Sequence, residues 1–168
     1  MDHVTWENIY SLPHELLKCN KTKELQYKIL HRYIGTNKLL FKIGKAASAR
    51  CVFCELYDDD IEHLFFDCLV SKNFWIQVWE AWNKINVLKV AANRKDVILG
   101  YNIHQGFASN VNKILNLVIL HGKSFIFKCK FNNVKPDYFN FKNYMKEIFK
   151  VLHYDESLMI VINQTFLD

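Results

Sequence analysis

Apolar residues along the chain recur mainly at helical spacing, three and four positions apart. The clearest case is residues 72–85, where one apolar stripe consists of Trp75, Val78, Trp79, Trp82 and Ile85. Shorter helical patterns cover residues 5–18, interrupted by Pro13, and residues 22–33, followed by a stop signal at Gly35. We predict three helices in this half of the chain and assign the tryptophan stripe to the core.

The second half of the chain is less regular. Residues 111–131 fit a helix through Ile114, Val118 and Phe125, but their end also alternates like a strand from Phe125 to Phe131. The length of the segment favours a helix, and a last helix is predicted over residues 137–152 after Pro136. Residues 97–101 and 158–162 are short and could be small strands. The sequence therefore predicts a mainly α fold with few short strands, joined near residues 86–94.

The composition limits the class of protein. Of 168 residues, 51% are hydrophobic, which is enough for a core, and only five glycines and two prolines argue against disorder and against a turn-rich β-sandwich. No apolar run approaches about 18 residues, so no membrane span is expected. The first ten residues lack the apolar centre of a secretion signal. We expect an intracellular protein of the nucleus or cytoplasm, not a secreted one.

Charge is unevenly distributed. Residues 1–50 hold nine Lys/Arg against four Asp/Glu, residues 51–100 hold five against eight, and residues 101–168 hold eight against five. Basic arms thus flank an acidic centre, a pattern compatible with a polyanionic partner.

Three of the five cysteines cluster with a histidine. Cys51 and Cys54 are separated by two residues, His63 follows after eight, and Cys68 after four more. A Cys-x2-Cys turn presents two thiolates to one ion, and zinc prefers sulfur and imidazole ligands. The alternative is a group of small buried cysteines beside an unrelated histidine. We predict one Zn²⁺ held by all four side chains, in a knuckle inserted between helices.

The spacing of the last two ligands constrains the backbone. Positions five apart on an ideal helix point in directions about 140° apart, so the helix that starts near Ile61 should tighten or end between Phe66 and Cys68. Four protein ligands close the coordination shell, whereas catalytic zinc keeps an open position. The predicted zinc is therefore structural, and a zinc hydrolase or nuclease is the least favoured interpretation.

The acidic run Asp58-Asp59-Asp60 superficially resembles the metal-binding carboxylates of a polymerase. Such sites take carboxylates from separate elements to clamp two Mg²⁺ ions, whereas these three lie in one short loop. We interpret them as a solvated loop or as a helix N-cap at Asp59 or Asp60.

The order of these features resembles the reverse-transcriptase zinc-binding domain of LINE-type, non-LTR retrotransposon proteins, which lies C-terminal to the polymerase. The resemblance covers about residues 5–82 and is carried by Trp6, the run 25–32 (LQYKILHR), the run 36–40 (TNKLL), Cys51-x2-Cys54, the run 62–68 (EHLFFDC) and Phe74-Trp75. Tyr27 departs from it, because the family often has tryptophan there.

The resemblance implies a module that binds nucleic acid, RNA or single-stranded DNA, during reverse transcription of element RNA. A reverse-transcriptase polypeptide is a second expected partner, and no small-molecule substrate is implied. Nothing in the chain resembles a polymerase or an endonuclease, so we expect no enzyme. The chain could be a fragment, a decayed copy or a host gene. We divide it into a helical zinc-knuckle domain, residues 1–85, and a helical C-terminal region, residues 86–168, that packs on it.

A basic series leads into the knuckle. We predict that it contacts phosphates and that Phe53 stacks on a base; the candidate nucleic-acid-binding residues are Arg32, Lys38, Lys42, Lys45, Arg50 and Phe53. The alternatives are a solvated helical face and a core phenylalanine. Lys123, Lys128 and Lys130 either extend this surface or form another solvated face, and His31 is interpreted as structural. A competing function uses the same zinc site for docking to another protein or another part of a polyprotein.

Overall fold

The computed structural model describes residues 6–91, 93–103 and 109–167. Its helices are α1 (Trp6–Leu16), α2 (Asn20–Leu30), α3 (Asn37–Lys42), α4 (Leu69–Ile85), α5 (Arg94–Leu99), α6 (Asn110–Phe131), α7 (Tyr138–Leu152) and α8 (Glu156–Ile162). Two π-helical turns, His63–Asp67 and Asn163–Leu167, precede α4 and follow α8. The mainly α prediction is confirmed. Within the described ranges the extended pairing is limited to one isolated bridge between Arg50 and Asp58.

Helix α6 is the centre of the fold. It contacts α1, α2, α7, α8 and the first π-helical turn, and every residue from 114 to 123 is buried. The ambiguous end of the segment contains the buried Lys130 next to the exposed Phe131, so its apolar and polar positions do not mark a buried and a solvent-facing side of the helix. The segment is helical throughout, as its length predicted.

The tryptophan stripe packs in the core as predicted, apart from its last member. Trp75 and Trp82 are almost completely buried and Trp79 stacks on Trp75 with ring centroids 5.6 Å apart. Ile85, in contrast, is 57% exposed because α4 ends there. Pro13 lies inside α1 without splitting it, so that helix does not restart.

Both segments suggested as strands are helical. Residues 97–101 belong partly to α5, whose start is fixed by a capping box between Asn93 and Asp96. Residues 158–162 lie in α8, where Asp155 caps the backbone N–H of Ser157. The polar caps before these short apolar runs fix the helical conformation. The proposed division into residues 1–85 and 86–168 stays a prediction.

Gly122 of α6 lies directly against the Trp75 ring of α4. A Cβ atom at this position would overlap the six-membered ring of Trp75. Gly122→Ala should therefore destabilise the protein by roughly 1–3 kcal/mol, because overpacking outweighs the gain in helix propensity. Urea unfolding measures the change, with Ser124→Ala on the same helix as control. A Gly122→Ala variant that is more stable than the parent protein would contradict this packing.

No helix among the described residues is both long enough and apolar enough to cross a membrane.

Candidate metal centre

The four predicted ligands converge. One ligand atom from each of Cys51, Cys54, His63 and Cys68 lies within 4.8 Å of every other. The Sγ atoms of Cys51 and Cys68 are 3.9 Å apart, and Sγ of Cys54 is 3.3 Å from Nε2 of His63. A tetrahedron with Zn–S and Zn–N bonds of ordinary length has edges of about 3.8 Å between two sulfurs and about 3.6 Å between sulfur and nitrogen. The donor set therefore fits Zn²⁺ in size and in chemistry.

The first two ligands come from a short turn at the start of the zinc loop, which we define as residues 50–60. Cys51 donates its N–H to Tyr57 O and accepts from Glu55 N through its carbonyl, which closes the turn. Phe53 N lies 3.4 Å from Cys51 Sγ and donates to it. Glu55 then adopts a left-handed conformation with φ of 58°. Backbone N–H donors near a thiolate stabilise its negative charge, so this turn is suited to deprotonated sulfur.

The last two ligands flank the π-helical turn His63–Asp67. Cys68 donates its N–H to the carbonyl of His63 over 2.9 Å, an i→i+5 bond. This wider turn places residues five apart on successive turns of the same face. The sequence predicted that the helix would tighten or end between Phe66 and Cys68. The prediction of tightening is wrong, because the helix widens into a π-helical turn, but the turn does end at Cys68 as predicted.

Side chains of α4 hold the π-helical turn in place. Nε1 of Trp75 donates to the carbonyl of Phe65 over 2.7 Å, and Oγ of Ser71 donates to that of Leu64 over 2.6 Å. On the other side, Asp60 Oδ1 accepts from the backbone N–H of His63 at 3.0 Å, so Asp60 is an N-cap as proposed. The turn thus has its unusual backbone groups satisfied by buried partners.

Cys68 also occupies the residue position immediately before α4. A hydrogen bond from the Cys51 thiol lowers the pKa of Cys68, and the N–H groups of Ser71 and Val70 act in the same direction. The same hydrogen bond, together with burial, raises the pKa of Cys51. Zinc binding requires the cysteine ligands as thiolates and therefore releases protons, so zinc affinity falls with decreasing pH.

Asp59 is the residue of the acidic run that the sequence analysis misjudged. Its side chain is fully buried, and Oδ2 accepts from Lys130 Nζ and from Asn37 N, both at 2.7 Å. Asn37 in turn donates to Arg50 O at 2.7 Å, and its side-chain oxygen accepts from Lys130. This buried network, defined by Asn37, Asp59 and Lys130, ties the zinc loop to α3 and α6. The carboxylate is neither solvated nor a cap.

The network also explains the Thr36-Asn37 pair of the resemblance. Oγ1 of Thr36 caps α3 by accepting from Leu39 N at 3.3 Å, and Asn37 places its side chain against the zinc loop. The sequence did not indicate that Lys130 pairs with Asp59, because a lysine is normally solvated. Lys130 and Lys123 are in fact buried, which corrects the idea that they extend a basic surface. Of the three lysines, Lys128 alone is exposed.

The residues of the predicted basic series differ in whether their side chains already have a bonding partner. Arg32 forms a bidentate pair with Glu62, with one contact of 2.9 Å, and Lys38 pairs with Asp60 at 3.3 Å. Arg50 donates to the carbonyl of Leu56 across the loop. Lys42 and Lys45 are exposed and form no ion pair with any described residue. The first three thus have structural partners, while the last two are free to bind other groups.

Phe53 does not lie on the surface. Its side chain is 4% exposed and belongs to the core, so the suggested stacking on a base is corrected in favour of the alternative. The knuckle turns this ring inward, into the same buried cluster as Cys51 and Cys68. His63, at 9% exposed, is buried as well.

Comparison with known proteins agrees with this site. A family model described as zinc-binding in reverse transcriptase matches residues 4–75, a range that contains all four ligands. That family is a zinc-binding domain and not a catalytic one. No match was found among curated proteins or among solved structures. The family match and the four-ligand cluster together show that residues 4–75 form a reverse-transcriptase zinc-binding domain with a Cys3His zinc site.

Proposed function

We propose that this chain is a nucleic-acid-binding module of the non-LTR retrotransposon type, in which a structural CCHC zinc site holds a basic surface for RNA or single-stranded DNA. The basic surface is defined as Lys38, Lys42, Lys45 and Arg50. The observation that carries the proposal is the position of Lys42 and Lys45. Lys42 is the last residue of α3 and Lys45 lies between α3 and the zinc loop; both are exposed and have no ion-pair partner among the described residues.

The backbone that presents these lysines is fixed by the zinc site. Helix α3 begins at Asn37, which is bonded to Arg50 and Asp59 of the zinc loop. After α3, Gly44 adopts φ of 70°, and Lys45 N donates to Leu40 O at 2.7 Å. That left-handed position favours glycine. Zinc binding thus orders the segment from which the cations project, which reduces the ordering cost of binding a polyanion.

Phosphate contacts give a salt-dependent affinity that is insensitive to base sequence. Changing Lys42 and Lys45 to Gln together should weaken binding to labelled RNA and single-stranded DNA and reduce the slope of log K against log salt by about 1.4. Arg50 is left intact because it bonds within the zinc loop. Zinc content should stay at the parent value.

The matched control removes the same charge elsewhere. Lys84 on α4 and Lys95 on α5 are both exposed, and their double change to Gln should leave affinity and salt slope nearly unchanged. Equal slopes for the two double variants would reject the basic surface as the site of binding.

A second function is favoured by one observation near the zinc. Three apolar side chains flank the ligands with two thirds of their surface exposed: Leu56, Tyr57 and Leu69. Leu56, Tyr57 and Leu69 line a shallow cleft together with Cys54 and Val70. Docking onto a reverse-transcriptase polypeptide through this cleft is the alternative. Under it, Leu56→Asp would abolish association with that polypeptide and leave RNA binding intact.

A further inference from the structure

A strip of aromatic rings covers one outer face of α1 and α2. Ring centroids lie 6.1 Å apart between Trp6 and Tyr10, 5.6 Å between Tyr10 and His31, 4.1 Å between His31 and Tyr27, and 6.2 Å between Tyr27 and Tyr33. We call these five residues the aromatic strip. Trp6 is 59% exposed, and Tyr27 and Tyr33 are about half exposed. Single exposed aromatics are ordinary, whereas a continuous exposed series is not.

The strip is built by an uncommon helix end. At the end of α2, Arg32 N donates to Ile29 O and Tyr33 N donates to Lys28 O, the bond pattern of a Schellman cap. The left-handed position of such a cap usually holds glycine, but here it holds Arg32 with φ of 63°. This cap turns Tyr33 back beside Tyr27, and the Arg32 side chain reaches Glu62, the residue before the zinc ligand His63. The strip is thereby connected to the metal centre.

Cations alternate with the rings along the chain. Lys28 follows Tyr27, and Arg32 stands between His31 and Tyr33. Lys28 pairs with Glu24 on the surface of α2, and a single surface pair of this kind contributes little to stability. Lys28 can therefore exchange its carboxylate for a phosphate at little cost, whereas the bidentate pair of Arg32 with Glu62 holds the helix cap in place. The strip also belongs to the most basic third of the chain, which favours a polyanion over a neutral or basic partner.

We propose that the aromatic strip is a stacking platform for the bases of single-stranded nucleic acid, with a phosphate held by Lys28. This inference rests on the proposed nucleic-acid-binding function and adds that the protein contacts the bases of the strand as well as its phosphates. Aromatic side chains stack on any base and need bases that are not already paired. The platform therefore selects single strands over duplexes without reading their sequence.

The test compares an oligouridine RNA with an abasic strand of the same length and phosphate number. The parent protein should bind the base-containing strand more tightly. Tyr27→Leu/Tyr33→Leu should lower affinity for that strand roughly tenfold, the loss expected for one or two stacked bases, and leave affinity for the abasic strand unchanged. Phe139→Leu on α7, which also removes an exposed ring, is the control and should change neither. Zinc content of each variant confirms that the fold is intact.

The outcomes separate this inference from the proposed function. If the parent protein binds both strands equally, with a steep salt dependence, the stacking platform is rejected and the basic surface remains. If the tyrosine variant loses both strands to the same extent, or loses neither, the strip serves another purpose, such as protein docking, and the inference is overturned. If neither strand binds the parent protein at low salt, the proposed function itself fails.

Discussion

Cys68→Ser should abolish stoichiometric zinc binding and unfold the segment from Arg50 to Cys68. A structural zinc contributes roughly 10–16 kcal/mol of apparent binding free energy in small zinc peptides, as much as the whole stability of a typical domain. Removing one thiolate leaves three ligands around a site whose backbone is organised by them. The loss should appear as missing zinc in purified protein and as fast amide exchange in the zinc loop and in the π-helical turn.

The control for this variant is Cys19→Ser. Cys19 precedes α2, lies outside the four-ligand cluster and is half-buried. Its replacement should leave zinc content and amide exchange at the parent values. A Cys68→Ser protein with full zinc content and unchanged protection would show that the four side chains do not act as one site.

Lys130→Met should destabilise the protein by about 3–5 kcal/mol, because it leaves Asp59 charged and buried without its cation. The Asp59 and Lys130 side chains are 0% and 5% exposed, and their atoms are 2.7 Å apart. Oδ1 of Asp59 already has no hydrogen-bond partner among the described residues. The measurement is the free energy of unfolding of the zinc-bound protein in denaturant.

Two further variants test whether the unpaired charge of Asp59 causes the destabilisation expected for Lys130→Met. Lys128→Met removes an exposed lysine from the same helix and should have a small effect. Lys130→Met combined with Asp59→Asn leaves no buried charge and should recover much of the lost stability, since replacing a whole buried pair costs less than breaking it. If Lys130→Met were no more destabilising than Lys128→Met, the buried network would not anchor the zinc loop.

The metal centre could be predicted from sequence because its ligands are close along the chain. Four ligands within one loop and turn restrict the geometry strongly, and the five-residue separation of His63 and Cys68 even located the distorted turn. Its widening into a π-helical turn could not be predicted, because it depends on Trp75 and Ser71 bonding its carbonyls from α4.

The buried network could not be predicted for a different reason. Asp59 and Lys130 are far apart in sequence, and each alone is typical of a solvated surface. Only the packing of α6 against the zinc loop brings them together and removes water from both. The aromatic strip was missed likewise, because its members belong to two helices and a helix cap. Tyr27 was noted as a departure from the family and His31 as structural, and neither position indicated a shared exposed face.

The helix α5, predicted as a strand, differs from these cases because its signal was present in the local sequence. The capping box at Asn93 and Asp96 was a local signal, available in the sequence, for a helix starting at Arg94. The run of Val, Ile and Leu that follows is equally typical of a short strand, because a short apolar run alone does not distinguish a strand from a buried segment of helix.

The central claim is that one zinc ion is held by three sulfurs and one imidazole nitrogen of this chain. X-ray absorption at the zinc edge, on purified protein with its metal content measured, tests it most directly. We expect one zinc per chain, with three sulfur neighbours at about 2.3 Å and one nitrogen neighbour at about 2.0 Å. Protein that is folded but free of zinc, or zinc surrounded by oxygen and nitrogen only, would contradict it.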